Sequence, residues 1–320
     1  MSNPTLSTRQ WLMALCIVTI WGLNFVVIKV GLSGGVPPFL LGCLRFVLVF
    51  FPAVLWVPRP RLDWRWLLAY GLTINLGQFA LLFWAMSVGM PAGLASLVLQ
   101  AQVLFTLGLS VLLWRERLHA VNVAGLLIAI GGLWLLGVQS LSNAPAGSQM
   151  TLAGLLLTLG AAFSWACGNV ISKRMMSGQP QGGGSQALLG VVVWSAAVPI
   201  VPFALLSWWF EGPQRLAAMW TDLQWGTVLA VAYLAYAATI LGYTLWGTLL
   251  TRLPTSTVAP LTLLVPVVGL SSAWLLLGEQ LSALQIAGAA TILTGLAIHV
   301  FGRRLLAAWT PPAPAVQGHD

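Results

Sequence analysis

The sequence predicts an all-α polytopic membrane protein of ten transmembrane helices arranged as two inverted five-helix repeats. Three observations carry that prediction: the scarcity of charge, the spacing of the apolar blocks, and an internal duplication. Of 320 residues, 59% are hydrophobic and 6% charged, whereas a soluble domain carries roughly 25% charged residues to face water. Apolar blocks fall at 12–32, 38–57, 66–86, 92–114, 120–138, 152–172, 187–209, 226–250, 255–277 and 282–302. At about 1.5 Å per residue, a block of this length crosses the roughly 30 Å hydrocarbon core as a helix. The blocks lack the alternation of barrel strands, and a helix is the remaining way to pair every backbone group in lipid.

The first block exceeds the apolar region of a cleaved signal peptide and contains Trp21, Asn24 and Lys29, so it reads as a retained span. Residues 305–320, with Pro311, Pro312, Pro314 and Gly318, are expected to form a disordered cytoplasmic tail. Arg9, Arg59, Arg61, Arg65, Arg115, Arg117, Lys173, Arg174, Arg252, Arg303 and Arg304 share one side of the membrane if both ends of the chain do. Only Arg215 lies in a loop on the other side, and this bias predicts cytoplasmic termini. The net charge of +8 is then a matter of topology, with the lipid bilayer and not nucleic acid as partner. Cys16, Cys43 and Cys167 fall inside spans without metal-site or disulfide spacing and read as packing residues.

A shift of 163 places Pro91 on Pro254, Glu116 on Glu279, Leu118 on Leu281, Ala124 on Ala287, Gly125 on Gly288 and Gly132 on Gly295. Shifts of 144 and 148 superpose Trp21 on Trp165, Lys29 on Lys173, and Leu40-Leu41-Gly42 on Leu188-Leu189-Gly190. The repeats are therefore expected at 1–139 and 150–304. Five spans is an odd number, so the second copy enters the membrane from the opposite side. Inverted repeats that rock about a midplane site are an architecture of secondary transporters.

The residues that carry the duplication also carry a resemblance. Trp21-Gly22, Leu44-Arg45-Phe46, Arg115-Glu116-Arg117-Leu118 and Gly278-Glu279-Gln280-Leu281, in this order within ten spans, resemble the EamA domains of the drug/metabolite transporter superfamily. The stretches 21–29, 90–102 and 163–169 are similar to the bacterial O-acetylserine/cysteine exporters of that family. The resemblance implies an inner-membrane efflux protein for amino-acid metabolites. The family pattern has proline in mid-membrane in both the fourth and ninth spans. Pro266 matches it, but the first half has Val103, preceded by Gln102, so the fourth span is expected to be straighter and more polar than its mate.

Polar groups in hydrocarbon are costly unless paired or facing water, which makes them the candidate substrate-binding residues. Arg45, about 10 Å below the outer surface, either holds a substrate carboxylate through its planar fork or pairs with Glu279. Lys29, one turn from a helix end, either binds substrate or snorkels to the interface. Asn24, Asn75, Gln78, Gln100 and Asn169 either line a site or tie helices together. Ser96 shares a face with Gln100 at i,i+4 and joins the candidates, whereas Gln102 points elsewhere. Trp21, Trp165, Tyr236 and Tyr243 could hold an ammonium group over a ring, although most of the 17 Trp are expected in interface belts. Glu116, Glu279 and Pro266 are assigned structural or gating roles.

The glycine runs 125–132 and 288–295 allow close helix packing, or contact with a second copy in a homodimer. His119 and His299 read as peripheral, and nothing in the sequence requires a cofactor or metal. A membrane enzyme would need clustered acid, base, nucleophile or metal ligands, which six acidic residues and three His spread over loops and ends do not supply. A channel would need a repeated filter motif, which is not seen. The partner expected besides lipid is a small-molecule substrate: cysteine- or O-acetylserine-like metabolites or, alternatively, other amino acids, aromatic metabolites or drugs.

Overall fold

The computed structural model describes residues 7–115, 119–141, 150–177, 184–215, 224–253 and 255–309. Ten helices are long and apolar enough to cross a membrane: Thr8–Ser33, Pro38–Leu55, Trp64–Ser87, Ala92–Trp114, Ala120–Leu141, Leu152–Met175, Ala187–Glu211, Trp225–Arg252, Pro260–Leu277 and Ala283–Gly302. Each overlaps one of the ten apolar blocks. The last helix runs on to Trp309, which corrects the expectation that the chain is disordered from 305. Residues 310–320 and Glu116 lie outside the described residues.

Local side-chain caps set where four of the spans begin. Ser7 and Gln10 form a reciprocal capping box at the first span, and Ser282 and Gln285 form the same pattern at the tenth. Asp63 accepts from the Arg65 amide at the third, and Thr151 from the Gly154 amide at the sixth. The second and fourth spans differ. Each follows a glycine with positive φ (Gly35 at 88°, Gly89 at 108°), then Val36 or Met90, then a proline at the N-cap that offers no side chain to the helix start.

Several spans depart from regular α-helix. The third is π-helical over Gly71–Gly77 and the eighth over Tyr233–Leu241, positions that nearly coincide under the 163-residue shift. The fourth has a 3-10 stretch at Leu99–Ala101 and the ninth a longer one at Ala259–Leu263. The fourth span, expected to be straighter than its mate, is also interrupted, but by the shorter 3-10 stretch.

The fifth and tenth spans pack along their length as antiparallel neighbours. A Cβ on Gly125 would lie 2.6 Å from the Gly295 carbonyl, and one on Gly132 would lie 2.7 Å from the Gly288 carbonyl. Since 125 corresponds to 288 and 132 to 295, each glycine faces the counterpart of the other, as in a two-fold contact. Asn122 Nδ2 donates to the His299 carbonyl at 3.0 Å across the same seam. The glycine runs are used within the chain, which removes the support they lent to a homodimer. Between the spans lies a large apolar core, with Phe46, Phe83, Phe203, Leu82, Leu94 and Leu97 fully buried, and two smaller clusters beside it.

Gly132 and Gly131 are adjacent but meet different surroundings, since nothing lies within 4 Å of a Cβ at 131. Gly132→Ala should lower stability by about 1–3 kcal/mol through overpacking against backbone. Gly131→Ala should be neutral or slightly stabilising, because alanine is the better helix former. Thermal melts of the two purified variants in detergent test this; equal melting temperatures would show that the seam is not tightly packed.

Candidate functional site

Arg45 is the centre of the site. Its residue is only 2% exposed, on the second span. The guanidinium donates through Nε (3.3 Å) and Nη2 (2.9 Å) to Thr239 Oγ1 on the eighth span, and its Cζ lies 3.9 Å from the Phe79 ring centroid on the third. Phe46 lies on the same cation at 5.5 Å. Thr239 sits in the π-helical stretch and passes its own proton to the Leu234 carbonyl, which leaves its oxygen free to accept from Arg45. No described carboxylate pairs with Arg45.

The proposed pairing of Arg45 with Glu279 is therefore wrong. Glu279 instead accepts from the Ala92 and Gly93 amides at 2.7 and 3.0 Å, at the start of the fourth span. It stands at the end of its own helix, where the dipole disfavours it, but at the positive beginning of another. Sequence reasoning also missed Glu211, which accepts from the Phe39 and Leu40 amides at 2.6 and 3.2 Å and from the Ser207 hydroxyl at 2.5 Å. The available signal was a helix start after proline with no capping side chain of its own.

Four candidate residues share one property. Arg45 Nη1, Gln100 Nε2, Asn24 Oδ1 and Gln78 Oε1 are buried with no hydrogen-bond partner. They stand seven, eight, nine and nine residues from the span ends at Pro38, Ala92, Ser33 and Ser87, or about 10–14 Å by the helical rise. The first four spans thus present two unmet donors and two unmet acceptors in one layer.

Other candidates are occupied elsewhere. Asn75 donates to Ser195 Oγ at 2.9 Å, binding the third span to the seventh. Asn169 donates to Gln102 Oε1 at 2.7 Å and Thr106 Oγ1 at 3.1 Å, binding the sixth to the fourth. Gln102, set aside from sequence, is thus a partner of a candidate residue. Ser96 donates to the Gly93 carbonyl and is packed where a Cβ on Gly269 of the ninth span would collide with it, so its face is a helix contact.

Lys29 Nζ lies 3.5 Å from the Met86 carbonyl near the end of the third span. Trp165 packs between two apolar clusters. Tyr236 is 42% exposed and makes no ring contact or hydrogen bond among the described residues. Trp21 and Tyr243 belong together, with ring centroids 5.5 Å apart, and the Trp21 indole donates to the Ala238 carbonyl at 3.0 Å, one residue before Thr239. Pro266 is buried in the ninth span, just past its 3-10 stretch.

Among the described residues no group of three His, Cys, Asp or Glu side chains is placed to hold a metal ion. The site offers a cation, neutral hydrogen-bonding groups and aromatic rings, which suit the binding of a small polar molecule.

The chain is similar over most of its length to known transporters. The model of the EamA-like transporter family matches twice, over residues 9–138 and 152–301. A probable amino-acid metabolite efflux pump of Salmonella typhimurium is 51% identical over 300 residues, covering 94% of this chain and 97% of that protein. Its Escherichia coli counterpart is 50% identical over 299 residues, covering 93% and 97%. The threonine/homoserine exporter RhtA of Escherichia coli is 30% identical over 253 residues, covering 77% and 74%. A protein of known crystal structure, 20% identical, superposes with a TM-score of 0.59 over 98% of this chain and 100% of that one, which shows a shared fold. With both halves matched and two relatives at half identity over nearly full length, the chain belongs to the EamA-like transporter family and is a multi-pass membrane transporter, not an enzyme.

Proposed function

We propose that this transporter exports zwitterionic amino-acid metabolites, cysteine- or O-acetylserine-like, across the bacterial inner membrane by alternating access of two inverted repeats. The observation that carries the reading is the complementarity of the unmet groups that stand at the depth of Arg45 on the first four spans. A substrate carboxylate supplies acceptors for Arg45 Nη1 and Gln100 Nε2, and its ammonium supplies donors for Asn24 Oδ1 and Gln78 Oε1. Buried polar groups without partners ask for an explanation, and one zwitterion offers both the acceptors and the donors these four lack. Thr239 holds two nitrogens of the guanidinium and leaves Nη1 to the ligand. The two half-identical relatives, named as probable amino-acid metabolite efflux pumps, favour the same substrate class.

The inverted arrangement is supported by the double family match and by the antiparallel seam between the fifth and tenth spans. The placing of basic loops supports cytoplasmic termini. RhtA, more distantly related and named for threonine and homoserine, favours a second reading in which other small amino acids are exported. Proteoliposomes loaded in turn with radiolabelled O-acetylserine, cysteine, threonine and an aromatic amino acid, with and without a pH gradient, separate these. Saturable counterflow is expected for the first two, and its absence for every compound would refute the transport reading.

Arg45→Gln should lower counterflow of the amino acid by about tenfold or more, since a hydrogen bond to a charged group contributes about 1.5–3 kcal/mol. The carboxyl ester of the same compound should be much less affected, because it does not need the cation. Arg45→Lys should recover only part of the loss, as it keeps charge without the planar fork. A folded Arg45→Gln protein that moves acid and ester equally well would refute the role of Arg45.

Orientation is tested with the exposed residues His119 and Gln214. In a chain with Cys16, Cys43 and Cys167 replaced by Ala, a membrane-impermeant maleimide applied outside intact cells should label Gln214→Cys and spare His119→Cys. The opposite pattern would invert the topology.

A further inference from the structure

We infer that Glu211 and Glu279 are a pair of reversible clasps that form the outer gate of the transporter, closed in this structure. The inference rests on alternating access by two repeats. Both carboxylates belong to the second repeat, and both hold helix starts of the first: Glu211 the amides of Phe39 and Leu40, Glu279 those of Ala92 and Gly93. The two helix starts follow matching turns, Gly35-Val36-Pro37 and Gly89-Met90-Pro91, on the same face of the molecule. In the charge-based topology that face is the outer one.

The choice of cap sets these contacts apart. Four other spans are capped by residues at their own beginnings, Ser7, Asp63, Thr151 and Ser282. A local cap survives any motion of one repeat against the other. A cap supplied by the opposite repeat is lost when the repeats part, and formed again when they close. The second and fourth spans have proline at the N-cap and so depend on the distant carboxylate. The amides lie at the ends of the spans, where water can replace a departing carboxylate, so release leaves no group stranded in lipid. Contacts beneath the clasps seal the same two helix pairs. Cys43, one turn below Phe39, touches the Ile200 carbonyl of the seventh span, and a Cβ on Gly93 would lie 3.2 Å from Ala273 Cβ of the ninth. Beside Glu279, a cleft of about 400 Å³ lined by Gly93, Leu270, Trp274 and Ile286 gives the outer solution a way to the second clasp.

The thiol of Cys43 reports on one clasp, and Ala273→Cys on the other. Each is studied as the single cysteine of the full-length chain in proteoliposomes, with an impermeant maleimide on the outer face. Glu211→Gln should speed labelling of Cys43, and Glu279→Gln that of Ala273→Cys, each by about two- to fivefold, the range a charge at a helix end supports. A chain retaining only Cys167, half-buried in the sixth span, should label at an unchanged rate in both variants. Unchanged labelling at Cys43 and Ala273→Cys in folded variants would overturn the inference, as would an equal rise at Cys167, which indicates general loosening. If a Gln variant does not fold, the shorter Glu211→Asp and Glu279→Asp give the same comparison. Labelling requires no transport, so counterflow by the unsubstituted chain with unchanged labelling defeats the clasps alone, and absent counterflow defeats the transport reading.

Discussion

Lipid offers no hydrogen bond, and every polar group of this molecule must find its partner within the chain or at the two aqueous faces. The consequence for the backbone is ten helices. For the side chains it is a set of ties between spans: Asn75 to Ser195, Asn169 to Gln102 and Thr106, Asn122 to His299. Against that background the exceptions carry information. Six described side chains keep one buried group without a partner; Asn122 and Thr227 lie on the fifth and eighth spans, whereas Asn24, Arg45, Gln78 and Gln100 stand on the first four spans at similar depth. A chain that satisfies Asn75 and Asn169 by side chains from neighbouring spans leaves these four where a ligand can complete them.

The same constraint separates the permanent contacts of the fold from those that can come apart. In the seam of the fifth and tenth spans, glycines bring backbone against backbone, with no side chain between Gly125 and Gly295 or Gly132 and Gly288. Such contacts gain dispersion energy only at close range and are lost steeply with small displacement. They suit a fixed axis. At the outer ends, Glu211 and Glu279 make charge-assisted bonds to helix starts that water can serve equally well. They suit a contact that opens. In the alternating-access reading proposed above, the glycine seam would keep the repeats joined while the ends of the second and seventh spans, and of the fourth and ninth, that carry the glutamates change distance.

Much of this was legible in the sequence. Hydropathy located all ten spans, because an apolar run of about 20 residues has no other stable use. The 163-residue shift located the glycines that meet in the seam, since close packing of backbones tolerates no Cβ. Arg45 stood out because a cation in hydrocarbon is costly wherever it sits. Partners were less legible. Glu279 was matched to the wrong group because backbone amides are present at every residue and leave no mark of their own. Proline at the N-cap, with no capping side chain of its own, is what marks the starts after Pro37 and Pro91; the eighth span also starts uncapped, but after Gln224. Ser96 was correctly placed on one face with Gln100, but whether that face meets a cavity or another helix depends on Gly269, 173 residues away. The π-helical stretches had no sequence signature either, although one of them positions Thr239 against Arg45.

The surroundings of Arg45 bear on why a transporter would leave a buried cation incompletely matched. A hydrogen bond to a charged group contributes about 1.5–3 kcal/mol, and a desolvated cation over an aromatic ring about 2 kcal/mol. Thr239 accepts two bonds from the guanidinium and the Phe79 ring meets its face, which offset an effective desolvation cost of several kcal/mol for a buried ion only in part, since Nη1 stays unmet. A protein carboxylate beside Arg45 would close that gap permanently and would also exclude a substrate carboxylate by repulsion. Neutral partners hold the guanidinium in place without cancelling its charge, so the remaining stabilisation is left for an incoming anion to supply. The binding must also be weak enough to reverse once per cycle. If Arg45 has the proposed role, a cation already partly compensated by Thr239 and Phe79 meets that condition better than a bare one, because it gains less from each substrate and so can let it go.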